Sequence, residues 1–206
     1  MTQLFLIRHG QTEWNVQKRF QGSGDSPLTA EGMQQIRRVA GRMKKVKPTC
    51  IYTSPRKRAV ETTKVIGAEC GCEWHCINEL GEISLGRWEG MKYEEIQQMD
   101  PAQYNHFFQN PSLFQMAEGG ESYHSVQQRA VKATNQIIAE HPGETVILVS
   151  HAITIRLLLI HYMDRPLDDI WQIGPVHQTS VLEIECVKKR ATVVTIGSMA
   201  HLEETV

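Results

Sequence analysis

Little in this 206-residue chain is extreme, and its absences narrow the function first. Charge of one sign is missing: 22 Lys and Arg stand against 23 Asp and Glu, for a net charge of −1. No global field therefore draws the chain to nucleic acid or to an acidic membrane, and any anion specificity has to be built locally. Long apolar runs are missing too. The strongest, Ile153 to Ile160, falls far short of membrane-spanning length and carries Arg156. No secretory leader precedes the first apolar segment, which sets the expectation of a cytoplasmic protein without membrane or nucleic-acid partners. The five cysteines are odd in number and form no disulfide framework. Cys70, Cys72, His75 and Cys76 are good zinc ligands, but their spacing is not a two-residue-gap knuckle and no second pair follows. The segment reads instead as a helix end at Gly71 and a half-buried strand near Trp74 to Ile77, and no metal is expected. No repeat, low-complexity tract or Pro/Gly/Ser linker divides the chain, so residues 1–206 read as one domain, long enough to bury a core.

What is present is organised around the first ten residues. Leu4 to Ile7 is a continuous apolar run, the pattern of a strand buried on both faces, and it stops at Arg8-His9-Gly10. Open α/β sheets bind ligands beyond the carboxyl ends of their strands, which is where these residues stand. Gly10 allows a sharp turn and a close approach to a ligand, and Gln11 to Lys18 can open a helix whose N–H groups favour an anion. Taken alone, the tripeptide is more simply a strand ending in surface residues. Glu144 to Val149 repeats the arrangement, ending in Ser150-His151 before the apolar helix Ala152 to Ile160. Between them, Thr29 caps a helix to about Val46, Cys50 to Thr53 is a short strand, and Ser54-Pro55 reads as N-cap and first helical position. Arg58 would then lie in a first turn and reach back over the strand end. Ser122 to Glu140 has helical core spacing. Ser180 to Val187 and Thr192 to Ile196 read as a hairpin turning at Lys188-Lys189-Arg190. The sum is a three-layer α/β/α sandwich with a mostly parallel sheet and an antiparallel edge strand.

Arg8-His9-Gly10 is followed by Gln11-Thr12, Asn15, Arg19-Phe20-Gln21-Gly22, Asp25, Pro27-Leu28-Thr29 and Gly32. Further on stand Ser54 with Arg58-Ala59 and Thr62, Glu82 with Gly86 and Trp88-Glu89-Gly90, Gly120-Glu121-Ser122, and Ser150-His151-Ala152. In this order and spacing they resemble the histidine phosphatase superfamily, also called phosphoglycerate mutase-like, over nearly the whole chain. The resemblance implies a phosphomonoesterase that needs no metal or other cofactor and acts on small phosphate monoesters. It implies His9 as the residue that accepts the phosphoryl group, Arg8, Arg58 and His151 as its cationic surround, and Glu82 as acid and base. Asn15, Gln21, Gly22 and the Ala152 N–H would bind substrate. It also implies that the irregular stretch of about 88–121 is a helical cap insertion over the site.

The chemistry suits these residue types. An imidazole nitrogen that accepts a phosphoryl group splits one displacement into two. Arginine forks hold phosphate oxygens in pairs and supply the charge stabilisation that phosphoryl transfer chiefly needs. Mutases of the family carry Arg-His-Tyr after the equivalent glutamate, whereas this chain has Ile83-Ser84-Leu85, which disfavours a phosphoglycerate mutase. A non-catalytic phospho-ligand module would not require His9, Glu82 and His151 together. From Met91 to Glu121 the only Lys or Arg is Lys92, against Glu94, Glu95, Asp100, Glu118 and Glu121, while Tyr104, Phe107 and Phe108 offer ring faces. If that stretch caps the site, aryl, nucleoside or simple alkyl monophosphates are expected to be preferred over phosphoglycerates and sugar bisphosphates.

Overall fold

A computed structural model of the chain describes residues 1–116, 119–187 and 190–203. Its centre is a six-stranded sheet of β1 (Thr2–Arg8), β2 (Cys50–Thr53), β3 (Glu73–Cys76), β4 (Thr145–Ser150), β5 (Val181–Val187) and β6 (Arg190–Ser198). The spatial order is β3-β2-β4-β1-β5-β6. The first four strands of that order run parallel, and β5 and β6 add an antiparallel edge. In β1, Leu4 and Leu6 enter one buried cluster and Phe5 and Ile7 another, the period-two alternation of a strand covered on both faces.

Helices α1 (Glu13–Val16), α2 (Ala30–Val46) and α3 (Lys57–Cys70) come first, and α2 and α3 cover the Phe5 and Ile7 face with Val39, Ala40, Met43 and Ile66. After α4 (Tyr93–Met99) and α5 (Pro101–Gln109), α6 (Tyr123–Glu140) and α7 (Ala152–Tyr162) cover the other face; α8 (Ala200–Glu203) closes the series. This is the three-layer arrangement that the sequence predicts. None of the helices in the described residues is long and apolar enough to cross a membrane.

Three local expectations need correction. The helix after β2 starts at Lys57, not at Pro55, because Ser54 Oγ is held 2.7 Å from His151 Nε2 and accepts the Arg56 N–H at 3.3 Å. A tertiary contact takes the cap away. The segment after Gly10 forms only the single turn α1, capped by Thr12. Gly10 has no left-handed backbone; it is needed for space, since a Cβ there would come within 2.6 Å of Ile36 Cδ1 and 3.0 Å of the Gly32 carbonyl. The second strand of the hairpin is longer than expected, and Lys188 and Lys189 of its turn lie outside the described residues, as does Glu118.

The close approach of α2 to the residues behind His9 yields a paired prediction. A Cβ on Gly32 would overlap the Gln11 carbonyl, whereas one on Gly41, in the same helix, meets nothing within 4 Å among the described residues. Gly32→Ala is expected to destabilise by roughly 3 kcal/mol through backbone overpacking. Gly41→Ala should stabilise by about 0.5–1 kcal/mol through helix propensity. Urea unfolding midpoints check both, and a shift of the same sign for the two variants would contradict the packing described.

Candidate active site

The carboxyl ends of β1, β2 and β4 are level: Arg8 pairs with Ser150 and Thr53 with Val149. His9 donates its N–H to the Ser150 carbonyl at 3.1 Å, and Ser54 donates to that of Val149 at 3.0 Å. The chain therefore leaves three adjacent strands at one edge, bringing His9, Ser54 and His151 together.

His9 is buried, and its Nδ1 lies 2.7 Å from the Gly10 carbonyl. A carbonyl only accepts, so Nδ1 carries the proton and Nε2 keeps its lone pair. Arg58 Nε donates to that nitrogen at 3.3 Å. Burial first, then the charges of Arg58 and Arg8, hold the imidazole well below its ordinary pKa and keep it neutral. His151 stands behind it, ring centroids 5.2 Å apart, and is likewise lowered by burial and then by Arg58. Its Nδ1 is buried without a partner among the described residues.

Arg58 is 1% exposed and anchors the loop from Gly22 to Asp25. Its guanidinium donates to the Gly22 carbonyl at 2.8 Å, to the Gly24 carbonyl, and to Asp25 Oδ1 at 2.9 Å. Gly22 adopts φ of +51°, and a Cβ there would collide with Glu89, whose carboxylate accepts from Ser23 and Leu85. Glu89 is thereby a structural residue. Arg8 NH1 donates to the Val176 carbonyl at 2.8 Å while its Nε is buried without a partner among the described residues. Burial lowers Arg8 to about 10, opposed by nearby Glu82, so it remains a cation at neutral pH.

The carboxylate of Glu82 occupies the start of α7. It accepts the N–H groups of Ile153 at 3.1 Å and Thr154 at 3.2 Å, and that of Ile83 at 3.1 Å. The helix N-terminus that the sequence assigned to a ligand anion is thus largely filled from within. Arg129 fixes the loop that carries Glu82 by donating to the carbonyls of Gly81 and Glu82, and it pairs with Glu121 at 2.8 Å. Asn15 turns its Oδ1 to Thr12 and lines the cavity.

These residues surround a cavity of about 300 Å³. Arg8, His9, Arg58 and Glu82 line it, as do Asn15, Gln21, Gly22 and Ala152; of the site residues read from sequence, His151 alone is set behind the wall. The aromatic side is made by Phe20, Tyr93, Phe107, Phe108 and Trp171, whereas Tyr104 packs on Phe108 at 5.0 Å without lining the cavity. Arg19 and Arg156 also line it. This corrects the expectation that cations near the substrate would be scarce, because they come from outside the Met91 to Glu121 stretch. Arg156 follows Ala152 by four residues and shares its helix face, a periodicity that could have disclosed it. Trp171 and Arg129 had no local signal. A larger hollow of about 730 Å³ lies at the opposite end of β1, around Thr2, Tyr162 and Cys186, and shares no residue with this cluster.

A neutral histidine with an unprotonated Nε2, a buried and a half-buried arginine and a carboxylate on one cavity wall make a site for phosphoryl transfer to nitrogen. The chain belongs to the histidine phosphatase superfamily (branch 1), whose family model matches residues 4–198. Bacillus stearothermophilus YhfR superposes with a TM-score of 0.93 at 39% identity, covering 98% of this chain and all of that one. An Arabidopsis thaliana metal-independent phosphoserine phosphatase is 33% identical over 78% of this chain and 68% of its own length. A phosphoserine phosphatase variant from Entamoeba histolytica, solved with phosphoserine, has a TM-score of 0.87 at 27% identity, covering 98% and 100%. The chain is an enzyme of this family, a phosphatase.

Proposed function

We propose that His9 takes the phosphoryl group of a small phosphate monoester, that Glu82 handles the protons, and that no metal takes part. The observation that carries this reading is the hydrogen bond from His9 Nδ1 to Gly10, which commits Nε2 to the cavity beside Arg58. When the phosphate enters, Arg58 Nε exchanges His9 Nε2 for a phosphoryl oxygen, and Arg8 Nε and the Ala152 N–H are further donors, with His151 backing the His9 ring. Attack forms the P–N bond as the P–O bond breaks, and Glu82 gives its proton to the departing oxygen. Water then loses a proton to Glu82 and attacks phosphorus, breaking P–N and restoring neutral His9. The arginines supply the charge stabilisation that a divalent ion gives elsewhere. The stretch of about 88–121, with α4 and α5, serves as the cap of a single domain, and relatives named for phosphoserine support a small-molecule substrate.

Glu82→Gln tests the proton role. Alkyl phosphates should lose on the order of 10³-fold in the rate of phosphoryl transfer to His9, and aryl phosphates, with good leaving groups, no more than about 10-fold. Dialysis against a chelator should leave wild-type turnover unchanged. Equal losses for both leaving-group classes, or chelator inactivation reversed by one metal, would overturn the respective assignment.

A further inference from the structure

We infer that the favoured leaving group carries a carboxylate, received by Arg156 where it lies over Trp171; this rests on the phosphatase reading above. Arg156 NH1 donates to the Ile170 carbonyl at 2.9 Å, and its guanidinium carbon is 5.1 Å from the Trp171 ring centroid. Trp171 is itself fixed, Nε1 donating to the Phe107 carbonyl at 2.7 Å. The cation is therefore held on a rigid platform at the cavity wall.

Its charge is not balanced there. Among the described residues no carboxylate forms an ion pair with Arg156, whereas Arg58 has Asp25 and Arg129 has Glu121. Burial lowers the Arg156 pKa, a sign that its charge has lost water, and Arg8 is near enough to be lowered by it. A half-buried cation beside another cation is costly unless an anion arrives. The transferred phosphoryl group is already provided for by Arg8, Arg58 and His9. One carbonyl, that of Ile170, needs only a neutral donor, so a structural role does not require the charge. The N–H groups not used on Ile170 suit a planar two-oxygen acceptor, which a carboxylate is. Arg19 is a less suitable receiver, because Gly90 and Gln17 already hold its NH1 and Nε.

The test compares D-3-phosphoglycerate with sn-glycerol 3-phosphate, which have the same ester and differ in a carboxylate against a hydroxymethyl group. Wild-type kcat/KM should favour the carboxylate by at least 30-fold. Arg156→Gln should lower kcat/KM for phosphoglycerate at least tenfold more than for glycerol phosphate, and Arg156→Lys should recover part of the preference. No wild-type preference, or equal losses for the two substrates in Arg156→Gln, would overturn the assignment. Binding of both compounds to His9→Ala, measured by calorimetry, separates the two readings. A preference for phosphoglycerate there that Arg156→Gln abolishes supports the subsite even if wild type hydrolyses neither compound, a result that would sink the phosphatase reading alone. Equal affinities would overturn the subsite alone.

Discussion

His9→Ala is expected to lower kcat by at least about 10⁴-fold, or about 5.4 kcal/mol of barrier, while leaving phosphate binding largely in place. The size follows from the role: without Nε2 there is no covalent intermediate, and water must attack directly with only the electrostatic groups to help it. Binding should persist because Arg8 is held by Val176 and Arg58 by Gly22, Gly24 and Asp25, none of which depends on the imidazole. Steady-state turnover, together with the shift of thermal midpoint on adding inorganic phosphate, distinguishes the two effects. A loss below tenfold, with the phosphate shift unchanged, would remove His9 from the covalent step.

Arg58→Leu should damage stability and catalysis at once. It leaves the buried carbonyls of Gly22 and Gly24 and the Asp25 carboxylate without their donor, a loss of about 3–5 kcal/mol for a broken buried pair. It also removes the donor to His9 Nε2 and a fork for the phosphoryl oxygens, expected to cost on the order of 10²–10³ in kcat. Arg58→Lys keeps the charge but cannot span four acceptors, so it should recover activity and stability only in part. Urea unfolding gives the first quantity, and turnover well below the unfolding midpoint gives the second. A large stability loss with normal turnover of the folded fraction would confine Arg58 to the loop it anchors.

The parts of the site that lie on strand ends were legible in the sequence, because a strand buried on both faces declares itself by an unbroken apolar run and its end by the first charged residues. Leu4 to Ile7 before Arg8-His9 and Val146 to Val149 before His151 are such cases. Arg58 was legible through its place at the start of α3, although the exact cap was not, since nothing local says that Ser54 is committed to His151. The start of α7 shows the same limit. Sequence marks it as a place for an anion, but only the fold shows Glu82, some 70 residues earlier, filling it. Substrate contacts were least legible. The Met91 to Glu121 stretch contributes the expected ring faces of Phe107 and Phe108, but Arg156 comes from α7 and Trp171 from the segment after it. Counting charges within that stretch therefore misjudged the cavity. Arg129 was hidden for a similar reason, bonding backbone carbonyls almost 50 residues away that have no sequence signature.

The claim on which the rest depends is that phosphorus passes through His9 Nε2, and rapid acid-free quenching of turnover with phosphoryl-labelled substrate tests it most directly. The account predicts a transient, acid-labile label on His9 in the wild type and none in His9→Ala, with accumulation in Glu82→Gln when an aryl phosphate is used and water activation becomes limiting. Label found on another residue, or persisting undiminished in His9→Ala, would contradict it.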